Sequence, residues 1–178
     1  MPTHLGFLRA VNVGKRQFKT ADLRACLEAA GYADVDTYIQ TGNIRVSSPL
    51  RSRQKLEAEL ESVFLADRGF EVPTIVMSPA ELRTIAEDVA EIGFERPKGE
   101  GGHYVNLMKA PIAAADLEEL RGLFQDGVTL IARGRALHLL YEFSIGQAAK
   151  PGARAEKLLG VATNRSAKVV TEMVERWC

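Results

Sequence analysis

Two short runs of strand character, Val35–Ile39 and Asn43–Ser47, are separated only by Gln40-Thr41-Gly42. Three residues ending in glycine leave room for little but a hairpin turn, because glycine reaches positive φ without a Cβ clash. Before the hairpin stands a helical pattern over Ala21–Ala30, with Leu23, Cys26, Leu27 and Ala30 at helical spacing, Thr20 as cap and Gly31 as stop. Leu5–Val11, ahead of that helix, is an apolar run that reads as a buried strand. After the hairpin comes a helix over Arg51–Ala66, with Leu56, Leu60, Val63 and Phe64 on one face and a stop near Gly69, then a strand at Thr74–Met77. The order strand, helix, strand, strand, helix, strand is that of the split βαβ, or ferredoxin-like, unit.

The remainder repeats much of that order. Ser78-Pro79-Ala80-Glu81 is a capping box with proline at the first helical position, opening a helix to about Ala90. Gly93–Gly102 holds four glycines and a proline and reads as a linker. A strand at Tyr104–Met108, a helix at Ala113–Phe124, a hairpin of Val128–Ala132 and Ala136–Tyr141 around Arg133-Gly134-Arg135, and helices at Ala153–Leu159 and Ala167–Trp177 complete the chain. The expected fold is α+β: two ferredoxin-like halves, the second altered and ending in helices. The halves span 1–92, carrying an extra helix, and 103–178, joined through 93–102.

Charge narrows the function. Lys+Arg and Asp+Glu both total 23 in 178 residues, which argues against a dedicated duplex DNA binder. Six basic against three acidic residues from Ser144 onward read as a solvated face. An RNA-reading sheet stacks bases on central aromatics; "NIRVSS" has none, and the first strand offers only Phe7. Phe7 and Val11 are expected in a contact that covers this face, so nucleic acid is not an expected partner. No apolar run approaches a membrane span, no leader-like pattern opens the chain, and Cys26 and Cys178 stand far apart outside any C-x-x-C. These features fit a reduced, cytoplasmic compartment, with no metal cage and no particular cofactor implied.

Leu8–Lys15, "LRAVNVGK", invites a phosphate-loop reading, but Arg9 stands where that motif needs its first glycine and Arg16 where it needs a hydroxyl. Topology offers more. If the first and third strands are antiparallel neighbours, Asn12 lies near Gln40, Gly42 and Asn43, beside a loop carrying Gly14, Lys15 and Arg16. Converging amides suit a small polar or anionic ligand; they equally suit turns that satisfy their own backbone. Arg9, expected within the strand and partly buried, reads as a tether or an anion contact. Arg165 and the amides before the last helix form a second anion candidate, with Ser166 or Thr163 as the alternative, a plain cap. His4, His103 and His138 are scattered, His138 reads as a packed core histidine, and Cys26 as a small apolar residue. No general acid and base pair stands out. Three functions follow: a ligand-binding protein, an enzyme of unknown reaction, or a structural or protein-interaction module without a ligand.

"FLRAVNVGK…ADLRACLEAAGYADVDTYIQTGNIRVSS" resembles the signature of the uncharacterised bacterial proteins grouped as domain-of-unknown-function family 1697 (DUF1697), in which L-R-G-[IV]-N-V-G precedes Y-[IL]-Q-[ST]-G-N. The late "GVATNRSAKVVTEM" is similar to that family's G-x-x-x-T-x-R-[NS] segment. The resemblance marks Arg9, Asn12, Gly14, Gln40, Gly42, Asn43, Thr163 and Arg165, and brings no established activity with it. The chain departs at Ala10 and Lys15, where glycine is usual.

Overall fold

The computed structural model describes residues 1–96 and 100–178 and divides into two compact units, Met1–Leu82 with Trp177–Cys178, and Arg83–Arg176. The division falls inside the helix after Met77 rather than in the Gly/Pro-rich stretch 93–102. Pro97, Lys98 and Gly99 of that stretch lie outside the described residues.

In the first unit, β1 (Thr3–Leu8), α1 (Thr20–Ala29), β2 (Ala33–Tyr38), β3 (Asn43–Ser47), α2 (Arg53–Arg68) and β4 (Thr74–Met77) build an antiparallel sheet of order β2-β3-β1-β4. Phe7 stands opposite Asn43 on one side and Ile75 on the other. Strand alternation sends Leu8, Ile44, Val46 and Val76 into one core with Leu23 and Leu27 of α1 and Leu56, Leu60 and Phe64 of α2. Ser52 caps α2 by accepting from the Lys55 amide, and Gly69 ends it at φ 73°. The outward amides of β4 are not left bare: Glu57 and Glu61 of α2 accept from Val76 and Thr74 at 3.0 and 2.8 Å. An edge strand satisfied in this way is a poor template for another chain.

The second unit repeats the plan. β5 (Gly102–Met108), α4 (Ala114–Arg121), β6 (Val128–Arg133), β7 (Ala136–Tyr141), α5 (Ala153–Leu159) and β8 (Ala162–Ser166) form a sheet of order β6-β7-β5-β8, and α6 (Ala167–Trp177) follows. The helix α3 (Pro79–Ile92) follows β4 in the same manner, with Ser78 accepting from the Glu81 amide at its start.

Four expectations need correction. Ala162–Ser166 is a strand, paired to β5 with Leu107 opposite Thr163, so the second sheet has its fourth strand before the last helix. Its alternation is carried by buried Thr163 and Arg165 around exposed Asn164, polar residues that hide a strand from an apolar pattern. Arg9 lies beyond the end of β1 rather than within it. Thr20 is the first residue of α1, and the preceding Lys19 makes no side-chain cap. Val11 packs into the helix-side core with Leu8 and Phe18, whereas Phe7, fully buried, is on the opposite face of the strand.

Candidate functional site

Between β1 and α1 the backbone visits the left-handed region at Ala10 (φ 56°), Asn12 (57°) and Gly14 (58°). Asparagine and glycine accept that conformation; alanine pays about 1 kcal/mol for it. Ala10 is also one of the two positions, with Lys15, where the chain departs from the pattern it resembles. Short bonds fold the segment on itself. The Asn12 amide donates to the Arg16 carbonyl at 2.7 Å, Arg16 to Val13 at 3.1 Å, and Gln17 Nε2 to the Gly14 carbonyl at 3.1 Å.

The side chain of Asn12 does the joining. Its Oδ1 accepts from the Phe18 amide at 2.9 Å, and its Nδ2 donates to the Phe18 carbonyl at 3.1 Å and the Gln40 carbonyl at 2.7 Å. Phe18 is buried, edge-on to Phe64 with 5.5 Å between ring centres, and Arg68 lies 4.8 Å over its ring. One amide therefore ties loop 9–19 both to the core and to the turn between β2 and β3.

That turn is held as tightly. Gly42 has φ 73°, and a Cβ there would stand 2.7 Å from Leu8 Cβ and from Val11 Cγ2. Only glycine lets the turn settle onto the end of β1, where Leu8 donates to the Gly42 carbonyl at 2.8 Å. Asn43, fully buried, donates from Nδ2 to the Tyr38 carbonyl (2.9 Å) and to Thr41 Oγ1 (3.0 Å). The antiparallel pairing of β1 and β3 thus brings Asn12, Gln40, Gly42 and Asn43 together, with Arg9 and Gly14 on the same loop. The amides of Asn12 and Asn43 are spent on backbone and hydroxyl partners, which is what turns demand of asparagine.

Cations dominate what is left outward. Residues 1–21 contain Arg9, Lys15, Arg16 and Lys19 and no carboxylate. Lys15 and Arg16 are exposed and Arg9 is half-buried, and among the described residues none of the four is paired with an acid. Arg16 lies 5.8 Å over the Phe70 ring.

Arg165 belongs to the second unit. It is in β8, buried, and donates from Nη1 to Thr163 Oγ1 (2.9 Å) and to the Asn164 carbonyl (2.7 Å). Burial brings its guanidinium down to about 10. Ser166 caps α6 by accepting from the Val169 amide.

Sequence reasoning missed a contact in this unit. His103 Nε2 and His138 Nδ1 are 2.9 Å apart, on diagonal positions of β5 and β7. Spacing alone separates these residues widely; the register that unites them became visible only once β5 and β7 were neighbours. Burial and the neighbouring His138 bring His103 down to about 4, and burial lowers His138. Nearby, Arg133 bridges Asp88 and Glu91 at 2.7 and 2.9 Å. A cavity of about 360 Å³ is lined by His103, Tyr104, Arg96, Ser166 and Lys168. Among the described residues no three His, Cys, Asp or Glu gather in a way that could hold a metal. Among them no helix is long and apolar enough to cross a membrane.

Among the described residues, two four-stranded antiparallel sheets with six helices define an α+β protein, with a glycine- and asparagine-braced rim at one end of the first sheet. The chain belongs to the DUF1697 family, proteins of unknown function, whose family model matches residues 1–138. A conserved bacterial protein from Streptococcus pneumoniae has a similar structure, with a TM-score of 0.73 at 22% identity over 99% of this chain and 98% of that one. At that identity the likeness speaks for the fold alone. No curated protein matches the sequence.

Proposed function

We propose that this chain is a cytoplasmic ligand-binding protein of two ferredoxin-like halves, and that it takes a small anionic molecule at the rim where loop 9–19 meets the turn 39–42. The strand orders β2-β3-β1-β4 and β6-β7-β5-β8, each built from strand, helix, two strands, helix and strand, support the ferredoxin-like reading. Cys26 and Cys178, neither of them in a disulfide, suit a reducing compartment.

The observation that carries the ligand reading is the triple bond set of Asn12. It gives the loop a fixed shape without using any of its cations. Arg9 and Lys15 then supply charge to an anion, the Gln40 side chain a neutral hydrogen bond, and Asn12, Gly14, Gly42 and Asn43 the frame. A frame that is ordered before binding avoids the entropy cost of ordering it afterwards.

Thermal shift in low salt with inorganic phosphate, pyrophosphate and adenosine monophosphate tests this. A ligand at 100 times its Kd adds about 2.7 kcal/mol, or ~5–11 °C in Tm for a chain of this size. The rise should disappear in the Arg9→Ala/Lys15→Ala double variant, whose own Tm stays close to that of the parent because both side chains lack acidic partners. No rise with any anion, or an undiminished rise in the double variant, would refute the site. Turnover of an added phosphoester would make the same rim an active site; a partner protein captured through it would favour the interaction reading.

A further inference from the structure

The second unit carries an opening that the first lacks. In the first sheet, Gly6 and Val76 stand opposite each other on the face covered by α2, a helix of 16 residues. There is no space there: a Cβ on Gly6 would lie 2.7 Å from Ile44 Cγ1, and Val76 is buried. The matching positions of the second sheet are Asn106 and Asn164. The helix on that side, α5, has only 7 residues and buries Ala155 alone, and the chain before it runs through a short 3-10 turn at Ile145–Gln147. That segment is pinned by the Ala149 amide donating to Gln125 Oε1 at 2.7 Å. Between it and the sheet lies a cavity of about 440 Å³, walled by Phe124, Tyr141 and Ile145, floored by Asn106 and Asn164, with the exposed Lys150 on its border.

The floor has a definite polarity. Asn164 Nδ2 donates to Asn106 Oδ1 at 2.9 Å. That contact leaves the Nδ2 of Asn106 as a donor and the Oδ1 of Asn164 as an acceptor, neither with another partner among the described residues. Paired asparagines under a full helix would cost several kcal/mol in unmet hydrogen bonds. Facing a cavity, they offer one donor and one acceptor side by side. Aromatic walls with a few convergent polar groups, in a volume between about 300 and 1,000 Å³, make up the usual small-molecule pocket.

We propose that this cavity is a second binding site, for a planar heterocycle carrying a cis-amide edge (a pyrimidine, purine or lactam) with an anionic substituent beside Lys150. The heterocycle's carbonyl accepts from Asn106 Nδ2 and its ring N–H donates to Asn164 Oδ1. Tyr141 and Phe124 take the ring faces. This proposal does not depend on the rim of the first sheet: none of the rim residues lines the cavity.

Titration of the full-length, isotope-labelled protein with uracil and with uridine monophosphate, followed by NMR, tests it. Both probes should shift the side-chain amide signals of Asn106 and Asn164, and phenol, which lacks the amide edge, should not. Asn164→Leu should weaken uracil at least about tenfold. Lys150→Ala, an exposed position, should leave uracil unchanged and remove about a tenfold preference for the monophosphate. Shifts of loop 9–19 signals instead of Asn106 and Asn164 would mark binding at the rim and overturn the proposal. Silence with every heterocycle at millimolar concentration, or undiminished binding by a folded Asn164→Leu protein, would also overturn it. If Asn164→Leu fails to fold, an unchanged monophosphate preference in Lys150→Ala is the refuting result.

Discussion

The two units run through the same succession of elements and spend their freedom in opposite places. In the first, the β2–β3 turn contains left-handed Ile39 and Gly42, and the long segment after β1 is stitched to it by Asn12. In the second, Gly134-Arg135 closes the β6–β7 hairpin between the paired residues Arg133 and Ala136, and only residues 109–113 join β5 to α4. The first unit elaborates the end of its sheet and fills the helix side; the second trims the end of its sheet and leaves the helix side open. A repeated topology fixes where loops and helices fall, but the length of α2 against α5 and the residues at Gly6/Val76 against Asn106/Asn164 decide which face has space for a ligand. Function is set by such local choices rather than by the fold.

The comparison breaks most sharply at the glycines of the two hairpins. Gly42→Ala combines positive φ with two close contacts, so it should cost roughly 3 kcal/mol or more and lower Tm by ~6–12 °C, read by calorimetry. Asn12→Ala gives up three hydrogen bonds and should cost about 2 kcal/mol, ~4–8 °C.

Acid should act on the second unit. His103 and His138 are held neutral in the fold by burial, with Asp88 favouring and Arg133 opposing a charge on His138. Both titrate lower in the folded than in the unfolded chain, so protons bind on unfolding. Stability is therefore complete above about pH 6.5 and falls as the pH drops toward 4. Tm should fall by at least roughly 4 °C between pH 7 and 5 on this account. His138→Leu should reduce that decline while leaving Tm at pH 8 little changed; His103, still lowered by burial, and the half-buried His4 of the first unit, also lowered by burial, supply the residual slope. The smallest effect belongs to Gly134→Ala. With φ 55° and no heavy atom near the added carbon, it should cost about 1 kcal/mol, ~2–4 °C.

Much of this architecture was legible in the sequence because apolar residues carried it. Thr74–Met77, Ala153–Leu159 and Ala167–Trp177 fall where periodicity and capping residues put them. The meeting of Asn12 with the Gln40 turn followed from chain order alone, since antiparallel neighbours place the end of one strand beside the start of the next. What stayed hidden depended on polar residues in apolar roles. Buried Thr163 and Arg165 disguised β8, and two histidines distant in the chain met only through a register. Arg9 looked internal because Val11 prolongs the apolar run, yet the backbone leaves the sheet at Leu8 and turns left-handed at Ala10. The open face of the second sheet was hidden for another reason: a short helix reads as a helix, and the space it fails to cover has no residues of its own.

Amide hydrogen exchange at Phe18 measures the Asn12 brace directly. In the parent protein the Phe18 N–H, bound to Asn12 Oδ1 at 2.9 Å, should be protected, and in Asn12→Ala it should exchange at least about tenfold faster, while the β1 and β3 amides keep their protection. Equal Phe18 rates in the two proteins would contradict the account, because the loop would then hold its shape without the asparagine.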